Sequence, residues 1–192
     1  MFFKGTKKRP NTQKIAHELD SIGANYNAFT GEEYTGFYIK CAKTKIETSL
    51  DILSDMILNS LFLEKEIEKE KGVIIEEINM YEDLPQKQIT DITKYHLYGD
   101  TPLGRSTLGT KDIIKSVKRD NFTNYKKSHY TASNSFLVIA GSYNDKKAKK
   151  LVSELFLGLN KNKSPKYEKA KKISDKKSVY LKYKKNKIHN NI

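Results

Sequence analysis

Between residues 44 and 97 three stretches of helical apolar spacing follow one another, with no strand pattern among them. The first, residues 44–59, carries Ile46, Leu50, Ile52, Leu53, Met56 and Ile57 on one stripe. The second covers residues 64–82, and Pro85 opens the third, which runs to about Leu97. So long a run of amphipathic helices needs a second layer to cover its apolar side. The preceding residues supply one. Tyr26-Asn-Ala-Phe-Thr30 and Tyr34-Thr-Gly-Phe-Tyr-Ile-Lys-Cys41 are rich in aromatic and β-branched residues, with Gly31-Glu-Glu between them, a hairpin pattern. A further helix over residues 11–22 uses Ile15, Ala16, Leu19 and Ile22 and stops at Gly23.

Beyond a glycine-punctuated loop at 99–109, the pattern predicts a helix over 119–129, a strand over 135–140 ended by Gly141, and a helix over 145–157. Residues 158–177 turn polar and lysine-rich, with Pro165, and read as a linker. Ser178-Val-Tyr-Leu-Lys-Tyr183 starts a new strand pattern. The expected class is α+β: a two-layer domain, 1–157, of mainly antiparallel sheet against helices, then the linker and the first strand, 178–192, of a second domain.

Charge distribution weighs against one class of function. The net charge of +13 is concentrated at the C-terminal end, where residues 143–192 hold sixteen lysines against four acidic residues. The remainder is nearly neutral. Of 36 basic residues only three are arginine (Arg9, Arg105, Arg119), whereas base-reading surfaces favour the arginine fork. A solvated lysine surface is expected rather than nucleic-acid binding, which stays the least favoured alternative. No run of 18 apolar residues exists, so no membrane-spanning helix is expected. Cys41 has no partner cysteine, consistent with a reducing, cytoplasmic setting.

The 64–82 helix carries the chemistry. At about 100° per residue, Glu77 lies about 20° from Glu70, and Ile67, Ile74, Ile78 and Tyr81 fall on the same side. Carboxylates on an apolar stripe are costly unless paired or coordinated. Two readings stay open: salt-bridged residues that border the stripe, or a metal site. The two are about 10 Å apart along the axis, too far for one ion to bind both directly.

Several segments carry a resemblance: Met1-Phe-Phe-Lys-Gly-Thr-Lys-Lys-Arg9, Glu18-Leu-Asp-Ser-Ile-Gly-Ala24, Asn27-Ala-Phe-Thr30, Glu68-Lys-Glu-Lys-Gly-Val-Ile-Ile-Glu-Glu-Ile78 and Pro102-Leu-Gly-Arg-Ser-Thr-Leu-Gly109. His129-Tyr-Thr and Val138-Ile-Ala-Gly141 continue it. In that order they resemble the first domain of the pitrilysin/insulinase family of zinc metallopeptidases, particularly its processing-peptidase-like members. The resemblance implies a hydrolase in which an H-x-x-E-H motif supplies two histidine ligands and a general base, and a distal glutamate completes the zinc site. It assigns the distal metal ligand to Glu77, an accessory role to Glu70, and a substrate-binding edge strand to Asn27, Ala28, Phe29 and Thr30.

The chain departs from the family in its histidines. His17, His96, His129 and His189 are all it has, and none begins an H-x-x-E-H. The family's motif lies directly before the segment that opens at Met1. The expectation is a fragment of a zinc-dependent endopeptidase, truncated just after the motif and early in the second domain. It would lack the first strands of the sheet, proteolytic activity and retained zinc. The alternative is a non-catalytic scaffold subunit of the same family. A peptide substrate and a homo- or heterodimer are the implied partners of the intact protein.

Overall fold

The computed structural model describes residues 1–163 and 166; the expected linker beyond that point and the strand at 178–192 lie outside the described residues. Helix α1 (Thr12–Ser21) begins where the Asn11 side chain accepts the Lys14 N–H at 2.8 Å, and it buries Ile15 and Leu19. Gly23, at φ 64°, turns the chain into β1 (Asn25–Thr30). Strand β2 (Thr35–Lys40) returns antiparallel, with Asn25 opposite Lys40 and Thr30 opposite Thr35. Gly36 is required here, because a Cβ at that position would enter the ring of Phe29, which lies across the strand pair.

A short 3-10 turn leads into α2 (Ile46–Asn59), whose Ile52 and Met56 meet Ile15 and Leu19 in the fully buried core. Phe2, Phe3, Ala24, Tyr26, Phe37 and Ile39 close over that cluster from the segment at Met1 and from the hairpin. The expected two-layer α+β arrangement is therefore present: helices α1 and α2 on one side, an antiparallel hairpin on the other.

Helix α3 (Glu64–Asp83) buries Ile67 and Ile78, and α4 (Pro85–Tyr98) folds back on it, with Pro85 in its first turn. Helix α5 (Lys111–Ser116) was not anticipated by apolar spacing. Six residues are too few to show a period, and its signal is the cap, Thr110 accepting from Ile113 N. Helices α6 (Arg119–His129) and α7 (Asp145–Leu155) complete the described elements.

One expected element is corrected. Residues 135–140 enter no ladder among the described residues; Phe136 is 97% and Val138 83% exposed. Alternating apolar residues report a liking for a sheet, not the presence of a neighbour. Here β1 and β2 pair with each other, and no described segment runs alongside 135–140.

Candidate functional site

The segment at Met1 joins the two parts of the sequence that carry chemistry. Phe3 packs against the Tyr26 ring of β1 and the Phe37 ring of β2, at 5.8 and 6.3 Å between centroids. One residue on, the Lys4 ammonium reaches the Glu70 carboxylate of α3 at 2.7 Å. A single turn thus tethers the edge strand to the carboxylate helix.

On α3 the buried midline is marked by Ile67 and Ile78, and Val73 and Met80 are more than half exposed. Glu70 and Glu77 stand about 70–90° round from that midline. They border the apolar stripe rather than sit inside it, which corrects the helical-wheel expectation. Helices α4 and α5 pack against α3, while Val73 and Met80 stay exposed. Both glutamates are half-buried. The ion-pair reading holds for Glu70 through Lys4, and burial holds the nearby Met1 amine below its ordinary pKa, with Glu70 pulling the other way. Glu77 has neither a hydrogen bond nor an ion pair among the described residues.

The donor set can be tested against zinc directly. A catalytic zinc takes three protein ligands plus water. Among the described residues no three histidine, cysteine or acidic side chains come together as a metal cluster. His17 lies on α1, His96 in the last turn of α4, and His129 ends α6, where its ring stacks on Tyr125 at 4.0 Å. These residues do not fit a zinc site by themselves. Glu77 is one donor.

The hairpin offers a different chemistry. The Gly31 N–H donates to the Tyr34 carbonyl at 2.8 Å, which makes that pair hydrogen-bonded. Pairs in an antiparallel ladder alternate, so Phe29, Asn27 and Asn25 turn their main-chain groups toward β2. Tyr26, Ala28 and Thr30 turn theirs outward, to an edge with no strand beside it among the described residues. The Ala28 N–H is held there by its own neighbour, donating to Asn27 Oδ1 at 2.8 Å. Residue spacing located this strand, but the part played by Asn27 becomes visible only with the register.

Two further features went unread in the sequence. Arg9 is buried and donates to Glu18, Asp51 and Asp55 at 2.7, 2.6 and 2.9 Å. Burial opposes its charge, but those three carboxylates outweigh it and raise its pKa. The scarcity of arginine in so lysine-rich a chain was the available signal. The other is a cleft of about 310 Å³ between the end of α2 and α6, lined by Phe62, Lys126, Tyr130 and Leu159 among others. Burial pushes the Tyr130 phenol up to about 12 and holds the Lys126 amine below its usual range. No carboxylate lines this cleft, so it is separate from Glu70 and Glu77.

The family model for insulinase (peptidase family M16) matches residues 1–111, more than half of the chain. The chain belongs to the insulinase (M16) family. A second model, the peptidase M16 inactive domain, matches residues 116–192, so the two spans meet at α5. An uncharacterized zinc protease of Rickettsia bellii is 39% identical over 169 residues, 86% of this chain and 41% of that protein. The uncharacterized zinc protease YmxG of Bacillus subtilis is 39% identical over 145 residues, 76% of this chain and 35% of its own length. A probable mitochondrial-processing peptidase subunit beta of Arabidopsis thaliana is 34% identical over 160 residues, 83% of this chain and 30% of its own.

Among solved structures, a peptidase M16 inactive domain from Pseudomonas fluorescens superposes with a TM-score of 0.81 at 17% identity, over 89% of this chain and 42% of the other. Pitrilysin gives 0.71 at 21%, over 90% and 19%. At such identities the superpositions speak for the M16 fold. The chain spans less than half the length of these M16 relatives. No described helix is long and apolar enough to cross a membrane.

Proposed function

We infer that this chain is one part of an M16 zinc endopeptidase, contributing the distal glutamate ligand, Glu77, and a peptide-docking edge, residues 27–30. It does not hold a complete zinc centre. The observation that carries the reading is the state of Glu77: half-buried on α3, without hydrogen-bond or ion-pair partner among the described residues, beside a Glu70 already neutralised by Lys4. A carboxylate withdrawn from water without a counter-charge is costly, and a cation supplied from elsewhere removes the cost. The names of the Rickettsia and Bacillus relatives, both zinc proteases, support zinc as that cation. Glu77 would be one of the residues holding such a zinc, which in a completed site would acidify a bound water.

The chain's own residues have two tasks in this reading. The outward main-chain groups of β1 align an extended peptide, and Lys4 compensates Glu70 so that Glu77 remains the open anionic donor. The organisation proposed is a domain over 1–157 followed by the lysine-rich linker and the beginning of another domain. Peptides are the proposed substrate class, in keeping with a solved M16 neighbour titled as a ferredoxin protease in complex with ferredoxin. A second, companion subunit is the proposed assembly, in keeping with relatives named as processing-peptidase subunits. A non-catalytic scaffold subunit is the competing reading.

Fusing a segment that carries H-x-x-E-H ahead of Met1 tests the assignment. The fusion is expected to hold one zinc per chain, and Glu77→Gln to lose it while Glu66→Gln retains it. Zinc held equally well by the Glu77→Gln fusion would remove Glu77 from the ligand set.

A further inference from the structure

We propose that Asn27 is a latch on the peptide-docking edge: its carboxamide occupies the Ala28 N–H until an extended peptide's carbonyl displaces it. The proposal rests on the reading of β1 as a docking edge and adds how that edge is kept closed. An edge strand left open is a template for unwanted pairing, and proteins blunt it by covering its main-chain groups. The register leaves three residues with main-chain groups turned outward, Tyr26, Ala28 and Thr30. Ala28 is the middle one, and a strand added beside β1 has to exchange both its hydrogen bonds with Ala28.

Asn27 is suited to hold that position. Its neighbours on the same face of β1, Asn25 and Phe29, are exposed, so its side chain lies on the solvent side and can swing without disturbing the core. Its Oδ1 sits 2.8 Å from the Ala28 nitrogen, an ordinary hydrogen bond in length. A peptide carbonyl is a chemically equivalent acceptor, so the exchange is close to neutral at that atom. The added strand gains its remaining bonds to Tyr26, Ala28 and Thr30. A side chain hydrogen-bonding its adjacent N–H cannot follow a two-stranded ladder into a three-stranded one, so the latch must open for docking.

The consequence is measurable on the chain itself. Removing the latch spares the incoming strand the breaking of one hydrogen bond, so Asn27→Ala is expected to bind an extended peptide about fivefold tighter, what one ordinary hydrogen bond is worth. Asn25→Ala, on the same solvent face but at a residue turned toward β2, is expected to bind as the parent does. The probe is the acetylated, amidated heptapeptide KVTYVTK, titrated into the labelled chain and followed through the backbone amide resonances of β1. The expected result is a shift of the Tyr26, Ala28 and Thr30 amides, with the tighter constant in Asn27→Ala and faster solvent exchange of its Ala28 amide without peptide. If the peptide moves the β1 amides but Asn27→Ala binds no tighter, the latch is refuted and the docking edge stands. If no β1 amide responds in any variant, the docking edge itself is refuted, and the latch with it.

Discussion

Residues 1–59 and the helical pair α3–α4 are built to opposite standards. In the first region the core residues Ile15, Leu19, Ile52 and Met56 are at most 1% exposed, and the buried Arg9 has a carboxylate on every arm. In the second, Val73, Met80, Leu84 and Ile89 are between 44% and 65% exposed, and Glu77 lacks a partner among the described residues. The first region pairs its buried charges and seals its core, leaving only hairpin rings such as Phe29 and Tyr34 in water; the second presents apolar surface around a carboxylate with no partner among the described residues. Exposed apolar side chains beside an unpaired carboxylate set α3–α4 apart as surface, where residues 1–59 hold the core.

The sharpest way to break that contrast is Arg9→Ala. It leaves Asp55, 1% exposed, without its counter-ion, and is expected to cost about 3–5 kcal/mol in chemical denaturation. A loss below about 1 kcal/mol would mean the cluster is not the anchor it looks like. Next comes Met56→Ala, which opens the core between α1 and α2 and is expected to cost about 2–5 kcal/mol by the same measurement. The counterpart change on the other region, Val73→Thr, is expected to stay within about 0.5 kcal/mol, because that side chain is already in water.

Acid should distinguish the regions too. Burial works to raise the Asp51 pKa, but hydrogen bonds from Lys8 and Arg9 outweigh it and leave the group below its ordinary 3.8. Its contribution is therefore whole above that value and disappears as pH falls through the depressed folded pKa. Thermal melts from pH 6 down to pH 2 are expected to show this loss in the parent, and a smaller one in Asp51→Asn. A small effect is also expected for Lys4→Ala. The Lys4–Glu70 pair is about a quarter exposed on each side, and its loss is expected to cost at most about 1 kcal/mol.

The fold was largely legible because its main elements are long enough to show a period. Helices α1 to α4, α6 and α7 and both strands lie where apolar spacing, Gly23 and Pro85 put them. Two things escaped. Helix α5 is shorter than two turns, and residues 135–140 have a strand's pattern with no described neighbour to pair with. The candidate site was legible by kind and not by partner. A helical wheel cannot see which residues of α3 its neighbours bury, and only Ile67 and Ile78 are buried on that helix. Nor does spacing reveal that Lys4, 66 positions away in sequence, supplies the charge for Glu70.

Arginine usage turned out more informative than net charge. Each of the three arginines makes contacts suited to a planar fork: Arg9 to three carboxylates, Arg105 to the side chain and carbonyl of Asp100, and Arg119 twice to the Leu61 carbonyl. In a chain that otherwise uses lysine, an arginine marks a place where geometry matters as well as charge.

The proposal that Glu77 is a single zinc ligand, short of a zinc centre, is open to a direct measurement. Elemental analysis of the purified 192-residue chain, after incubation with zinc and exhaustive dialysis, tests it most directly. Zinc far below one atom per chain, unchanged in Glu77→Gln, is the expected result. One tightly held zinc per chain, lost in Glu77→Gln, would contradict it.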